Sequence, residues 1–301
     1  MQSFNQQIDL SFSSNCTVYI KREDLIHPIV SGNKFRKLKY NILQAKVEKK
    51  TKLLTFGGAF SNHIAAVAFA AKENGFQSVA IIRGDELENR VSENPTLSFA
   101  RNCGMHFEFV SRETYRKKSE LEFVENLKEK HGGFYLIPEG GTNELAIKGC
   151  QEILNEDDYA FDYICCSVGT GGTISGIINS AKEYQKVLGF PALKGDFLKD
   201  EICKFVKNNR WDFISDYHFG GYGKVNDDLI TFINAFYKQN KIPLDPIYTA
   251  KMAFGVIDLI KSNYFPENSK ILIIHTGGLQ GIQGMNIKLK NKKLQLIDTD
   301  D

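Results

Sequence analysis

Three apolar runs end in glycine, and that repeat limits the fold more than any other feature. Lys52-Leu53-Leu54-Thr55-Phe56 leads into Gly57-Gly58. Tyr163-Ile164-Cys165-Cys166-Ser167-Val168 leads into Gly169-Thr170-Gly171-Gly172-Thr173. Lys270-Ile271-Leu272-Ile273-Ile274 leads into His275-Thr276-Gly277-Gly278. Continuous apolar runs of this kind are strands buried on both faces. Helical patterns follow the first two, from Ser61-Asn62-His63 to Asn74-Gly75 and from Ile174 to Tyr184. Further strands are predicted at Val18–Ile20, Ser78–Ile82, His106–Val110, Phe134–Ile137, Val187–Phe190 and around Ile214. Helices are predicted from Asn94-Pro95 to Cys103-Gly104, over Glu113–Lys130, Glu144–Leu154, Asp227–Tyr237 and about Ala250–Ile260. Strands alternating with helices give βαβ units and a parallel-rich α/β sheet. In such sheets ligands bind beyond the carboxyl ends of the strands, so the loops after Phe56, Val168 and Ile274 should converge on one cleft. The tail Ile297–Asp301 reads as frayed.

Ser31-Gly32-Asn33-Lys34-Phe35-Arg36-Lys37-Leu38 starts another helix, because Phe35, Leu38, Ile42 and Ala45 recur at helical spacing. Ser31 or Asn33 is positioned to cap it, and Gly32 lets the chain turn into it. Lys34 then falls in the first turn, where the helix dipole disfavours a cation. Burial would lower its pKa further and leave the neutral amine that attacks a carbonyl. Taken alone, the stretch reads as a solvated basic run with Arg36, Lys37 and Lys39; what reverses that reading lies downstream. Lys21-Arg22-Glu23-Asp24, just upstream, reads as a solvated turn or as a support for the Lys34 segment.

With 301 residues and a net charge of +2, the chain has room for two domains and no strong field for nucleic acid or an anionic membrane. The six cysteines form no CxxC pair, and the polar start Met1–Gln7 has no signal-peptide core, so a reducing cytoplasm is expected and no metal site. No apolar run approaches a membrane span. A compact βα region over about 45–140 is expected to be inserted into a larger domain made of 1–44 and 141–301.

The loop Gly169–Thr173 brings backbone N–H groups together at a helix start, a setting that suits a phosphate monoester. It lacks the Lys-Ser/Thr ending of a nucleotide P-loop and gives no clean dinucleotide fingerprint. The alternative is a tight turn that binds nothing.

Lys34 at a helix start, Ser61-Asn62-His63 after a strand and the glycine–threonine loop together resemble the pyridoxal-phosphate enzymes of the tryptophan-synthase-β fold type. Within them the chain is similar to the 1-aminocyclopropane-1-carboxylate (ACC) deaminase and D-cysteine desulfhydrase family, from Lys21-Arg22-Glu23-Asp24 to His275-Thr276-Gly277-Gly278. The resemblance implies two domains with the active site in the cleft between them. It implies that Lys34, beside Asn33, bonds the cofactor covalently, that Asn62 holds the cofactor's phenolic oxygen, and that Ser61 lies near the substrate carboxylate and reacting carbon. Gly169, Thr170, Gly171, Gly172 and Thr173 match the phosphate loop, and Tyr222 and Tyr248 the two active-site tyrosines. His63 follows as a substrate-side residue or, on the simpler reading, as a histidine that orients the loop. ACC deaminases of this family carry glutamate and leucine where this chain has Thr249 and Thr276, as the D-cysteine desulfhydrases do. The implied reaction is therefore pyridoxal-phosphate-dependent β-elimination from D-cysteine, with ACC deamination as the alternative and a non-catalytic cofactor-binding scaffold as the rival of another class. The implied partner is a small amino acid, and the implied assembly is a homodimer.

Overall fold

The computed structural model describes residues 3–193 and 197–298. In chain order the elements are β1 (Asn5–Gln7), β2 (Thr17–Lys21), α1 (Asn33–Val47), β3 (Lys52–Gly58), α2 (Asn62–Glu73), β4 (Gln77–Arg83), α3 (Pro95–Asn102) and β5 (Met105–Val110). There follow α4 (Arg112–Arg116), α5 (Leu121–His131), β6 (Tyr135–Ile137), α6 (Glu144–Cys150), β7 (Tyr163–Val168), α7 (Gly172–Ser180) and β8 (Lys186–Pro191). The last are α8 (Phe197–Cys203), β9 (Trp211–Phe213), α9 (Asp227–Asn240), α10 (Thr249–Lys261), β10 (Lys270–Ile274) and α11 (Gly281–Asn291).

The strands form two sheets. One runs β1-β2-β10-β7-β8-β9, and the other β5-β4-β3-β6. Every described pairing is parallel except β1 with β2. The expected parallel-rich α/β architecture is present. Central strands are the apolar runs: Leu53, Leu54, Ile164, Cys165, Ile271 and Ile273 are fully buried. Pairing of Ile20 with Ile273 and of Ile273 with Cys165 brings the loops after β2, β7 and β10 side by side.

The charged segment after β2 is not solvated. Lys21, Arg22, Glu23 and Asp24 are all buried. Lys21 Nζ pairs with Asp158 at 2.7 Å, Arg22 with Asp24 at 2.8 Å, and Arg36 of α1 with Glu23 at 2.8 Å. Buried charges need partners of this geometry to offset desolvation. The segment supports α1.

Several local expectations need correction. The predicted helix over Glu113–Lys130 is two helices, α4 and α5, broken at 117–120. In one continuous helix Tyr115 and Leu127 would point about 120° apart; the break lets both enter the cluster around Leu54, Phe56, Val79 and Ile81. Gly32, at φ 60°, caps α1, and no side chain does so. The helix after the glycine–threonine loop starts at Gly172 and ends at Ser180. The helix expected over Glu144–Leu154 stops at Cys150 and continues as a 3₁₀ turn, Gln151–Ile153. Helices α8 and α11 had no strong sequence signal. Ile297 is not frayed: it is 3% exposed and exchanges two 2.9 Å hydrogen bonds with Asn286. Met1, Gln2 and the rest of the expected frayed tail, 299–301, lie outside the described residues.

Helices α1 and α6 touch backbone to backbone. A β-carbon on Gly149 would lie 2.0 Å from the Arg36 carbonyl oxygen, whereas one on Gly133 would meet nothing within 4 Å. Gly149→Ala should therefore cost about 2–3 kcal/mol in a urea melt, and Gly133→Ala should stay within about 0.5 kcal/mol. Equal effects would show that α1 and α6 separate freely.

Candidate active site

Helix starts and strand ends build one cavity. From α1 come Asn33, Lys34 and Lys37; from the start of α2 come Ser61, Asn62 and His63. The end of β7, the loop after it and the start of α7 supply Ser167, Gly169, Thr170, Gly171 and Thr173, and the loop after β10 supplies Thr276, Gly277 and Gly278. Tyr222 and Tyr248 close it. Most of the sequence-predicted residues thus meet at a single place. Gly172 and Thr249 do not line the wall. Gly172 lies in the first turn of α7, where a β-carbon would meet Thr142 Oγ1 at 2.8 Å. Thr249 is fully buried, with no partner for its Oγ1 among the described residues.

The amine of Lys34 is desolvated. Burial lowers its pKa to about 7, and the charge of Lys37 adds to the shift. Its Nζ donates to Asn33 Oδ1 at 3.1 Å, and Asn33 Nδ2 donates to Thr173 Oγ1 at 2.9 Å. The lysine is thereby tied to the glycine–threonine loop. Lys37 is buried too, and burial lowers its pKa. Its Nζ donates to the Gly140 carbonyl at 2.9 Å, to Thr142 Oγ1 at 3.2 Å and to Thr170 Oγ1 at 3.4 Å. It places a cation directly against the loop. Sequence reading took Lys37 for part of a basic run; the available signal was its i,i+3 spacing from Lys34, which puts both on one helix face.

Ser61 caps α2 by accepting from the His63 N–H at 3.3 Å. Asn62 Nδ2 donates to the Gly278 carbonyl at 3.3 Å, and Asn62 Oδ1 is buried without a partner. Thr55 Oγ1 donates to the Ile137 carbonyl at 2.8 Å, so it must accept from His63 Nε2 at 2.7 Å. His63 is then the Nε2–H tautomer, with a bare and unpartnered Nδ1. Burial, with Lys34 and Lys37 nearby, pushes its pKa well down and keeps the ring neutral. The Thr55 bond pins the ring to β3, in line with an orienting role.

Asp245 was missed in the sequence and sets the second tyrosine. Its carboxylate accepts from the N–H groups of Ile247 (3.0 Å), Tyr248 (2.9 Å) and Thr249 (2.8 Å). The Tyr222 and Tyr248 rings meet edge-on at 6.1 Å. Burial raises both phenol pKa values, that of Tyr248 strongly, with Tyr222 and Asp245 adding to it. Both stay protonated near neutral pH.

These residues fit pyridoxal phosphate. Two lysines line the cavity and no carboxylate does so among the described residues. Gly171 is left-handed at φ 84° and α7 has no side-chain cap, so its first N–H groups are open to an anion. Asn62 Oδ1, on the cavity wall, is a buried polar atom without a partner among the described residues, which is what a bound polar group would satisfy.

A family model described as pyridoxal-phosphate dependent enzyme matches residues 8–277, and the chain belongs to that family. More narrowly, it is 31% identical over 294 residues to a bifunctional D-cysteine desulfhydrase/1-aminocyclopropane-1-carboxylate deaminase of Arabidopsis thaliana, a mitochondrial protein, covering 88% of this chain and 73% of that one. It is 29% identical over 307 residues to a 1-aminocyclopropane-1-carboxylate deaminase of Rhizobium rhizogenes, covering 91% and 90%. The crystal structure of an ACC deaminase homologue superposes with a TM-score of 0.84 at 27% identity, over 97% of this chain and 94% of that one. The fold is that of the fold type II pyridoxal-phosphate enzymes.

The Lys34 pKa gives a direct test on cofactor-free protein. Reaction of its amine with an acylating reagent, followed by peptide mass spectrometry, should rise with pH around a midpoint near 7, because only the neutral amine reacts. Lys37→Met should move that midpoint upward. A midpoint near that of an ordinary lysine would contradict the buried geometry.

Proposed function

We propose that the protein catalyses pyridoxal-phosphate-dependent β-elimination on a small β-substituted amino acid, with D-cysteine as the leading substrate. D-cysteine and water would give pyruvate, ammonia and hydrogen sulfide. The observation that carries this reading is the cavity wall, built of two lysines and a set of hydroxyls with no carboxylate among the described residues. When bound, pyridoxal phosphate supplies an electron sink for charge left at the α-carbon, and hydroxyls rather than a carboxylate around it keep that sink weak. A weak sink suffices when the leaving group is a thiolate.

Lys37, Thr170 and the open N–H groups of α7 would hold the phosphate. Asn62 would hold the phenolic oxygen through its amide. Lys34, with a pKa of about 7, is the better proton acceptor for the α-hydrogen. Tyr248, whose phenol stays protonated near neutral pH, would serve as a hydrogen-bond donor to the departing sulfur from the cavity wall. Ser61 is placed to meet the substrate carboxylate or to assist the proton transfer. Thr276, whose Oγ1 lies 3.4 Å from Ser167 Oγ, stands where ACC deaminases of the resembling family carry leucine. The division into a smaller domain over 45–140 and a larger remainder belongs to the same proposal, supported by the separate sheet β5-β4-β3-β6; so does a cytoplasmic homodimer. ACC deamination, giving 2-oxobutyrate and ammonia, is the second reading, favoured by the names of the relatives.

Borohydride reduction of cofactor-loaded protein should fix the cofactor's mass on the Lys34 peptide, and an unmodified peptide would overturn the lysine's role. Sulfide and pyruvate from D-cysteine should exceed 2-oxobutyrate from ACC on one preparation. The reverse ranking would select the second reading. Phe at Tyr222 or Tyr248, or Ala at Ser61, should retain the cofactor and lower kcat about 10²–10⁴-fold. Parent-like turnover in all three would remove these residues from the site.

A further inference from the structure

Tyr222 is carried by a short glycine-rich loop with only weak bonds of its own, among them the Lys224 N–H to the Gly221 carbonyl at 3.2 Å. Phe219, Gly220, Gly221 and Gly223 all have positive φ, at 51°, 90°, 112° and 65°. Within the loop, the Gly221 N–H reaches the His218 carbonyl at 3.0 Å, and the Gly220 N–H reaches His218 Nδ1 at 2.9 Å. The strongest ties come from outside it. Lys251, 2% exposed on α10, donates from Nζ to the carbonyls of His218 and Gly221, each at 2.8 Å. Gly221 is the residue directly before Tyr222.

The ammonium sits in an unfavourable place for an ordinary lysine. Among the described residues it has no ion pair; burial lowers its pKa to about 8, and the charge of Asp245 partly opposes this. A cation buried against carbonyls alone carries a desolvation cost that needs a return elsewhere. Its position suggests that return. Lys251 lies three residues after Tyr248, the residue directly before α10, so the start of this helix carries both the Tyr248 ring and the amine that holds the Tyr222 loop. The same helix ties the start of the loop, where the Tyr217 hydroxyl donates to Asp258 at 2.8 Å.

We propose that Lys251 is a positioning residue that clamps the His218 and Gly221 carbonyls and thereby sets the Tyr222 hydroxyl against Tyr248 in the cavity. This rests on the reading of Tyr222 as part of the active site. Charge-assisted hydrogen bonds to carbonyls are the stronger class, so their loss should loosen the loop without unfolding the sheets.

The test uses the holoenzyme and the variants Lys251→Met and Lys251→Arg. Hydrogen exchange at the amides of 218–224 should speed up at least about tenfold in Lys251→Met. Exchange in β3 and the cofactor absorbance should not change. Lys251→Arg keeps a cationic donor and should restore much of the protection. The Met variant should lower kcat in the parent but produce no further loss in the Tyr222→Phe background. Unchanged loop exchange, or an equal kcat loss in both backgrounds, overturns the proposal. If Lys251→Met fails to fold, Lys251→Gln carries the same comparison. A loosened loop in a protein that turns over neither D-cysteine nor ACC would support the clamp and refute only the proposed reaction.

Discussion

Gly32 combines two constraints that the active site depends on. A β-carbon there would lie 2.0 Å from the Thr276 carbonyl oxygen, and its φ is 60°. The Asn33 N–H donates to that same carbonyl at 3.2 Å, and the Gly32 N–H donates to the Glu23 carbonyl at 3.0 Å. The first turn of α1 is therefore locked between the loops that follow β2 and β10. Those loops are neighbours because the two strands are paired. His275 fixes the second loop in turn. Its Nε2 lies 2.7 Å from the Pro243 carbonyl and must donate to it, which leaves Nδ1 to accept from the Gly277 N–H at 3.2 Å. Lys34 inherits its position from backbone contacts, so the amine is aimed before any cofactor arrives.

That aim has an electrostatic cost. Lys34 and Lys37 share one cavity, and each is desolvated. An anion bound there relieves both, and anything that binds only the native state stabilises it by mass action. The cofactor is then part of the stability of the protein as well as of its chemistry. Lys21 and Asp158, or Glu23 and Arg36, are buried charges of a different kind, because each has its partner within 2.8 Å. They hold the frame, while Lys34 and Lys37, without an ion pair among the described residues, line the cavity.

The legible parts of the sequence were those in which chemistry demands a residue type at a fixed local position. The strands ending in glycine, the helix opened by Ser61-Asn62-His63 and the Lys34 helix start are of this kind, and the structure has each of them. What escaped reading depends on contacts between distant segments. Lys37 and Lys39 are alike in sequence, yet Lys37 enters the cavity while Lys39 pairs at the surface with Glu152. Asp245 gives no signal in the sequence, because its three N–H partners lie in a bend that no periodicity reveals. The break between α4 and α5 follows from packing on the far side of the smaller sheet. Ile297 is buried because Asn286 and Asn234 reach the backbone around it.

Sheet topology explains why these groups gather with one sign of field. In a parallel sheet each strand ends where the following helix begins. Helices α1, α2, α7 and α11 follow β2, β3, β7 and β10 in this way. Their starts contribute Lys34, Ser61 to His63, Thr173 and Gln280 to one cavity. These starts bring the positive ends of the helix dipoles to the cavity wall. The same field that draws a phosphate in also favours loss of a proton from Lys34, and it adds to the burial and the Lys37 charge that lower the amine's pKa. Anion binding and a reactive neutral amine thus share one cause. A carboxylate in the wall would cancel part of that field; among the described residues Asp245 comes near, but its oxygens are turned to the start of α10 and the cavity is left to hydroxyls.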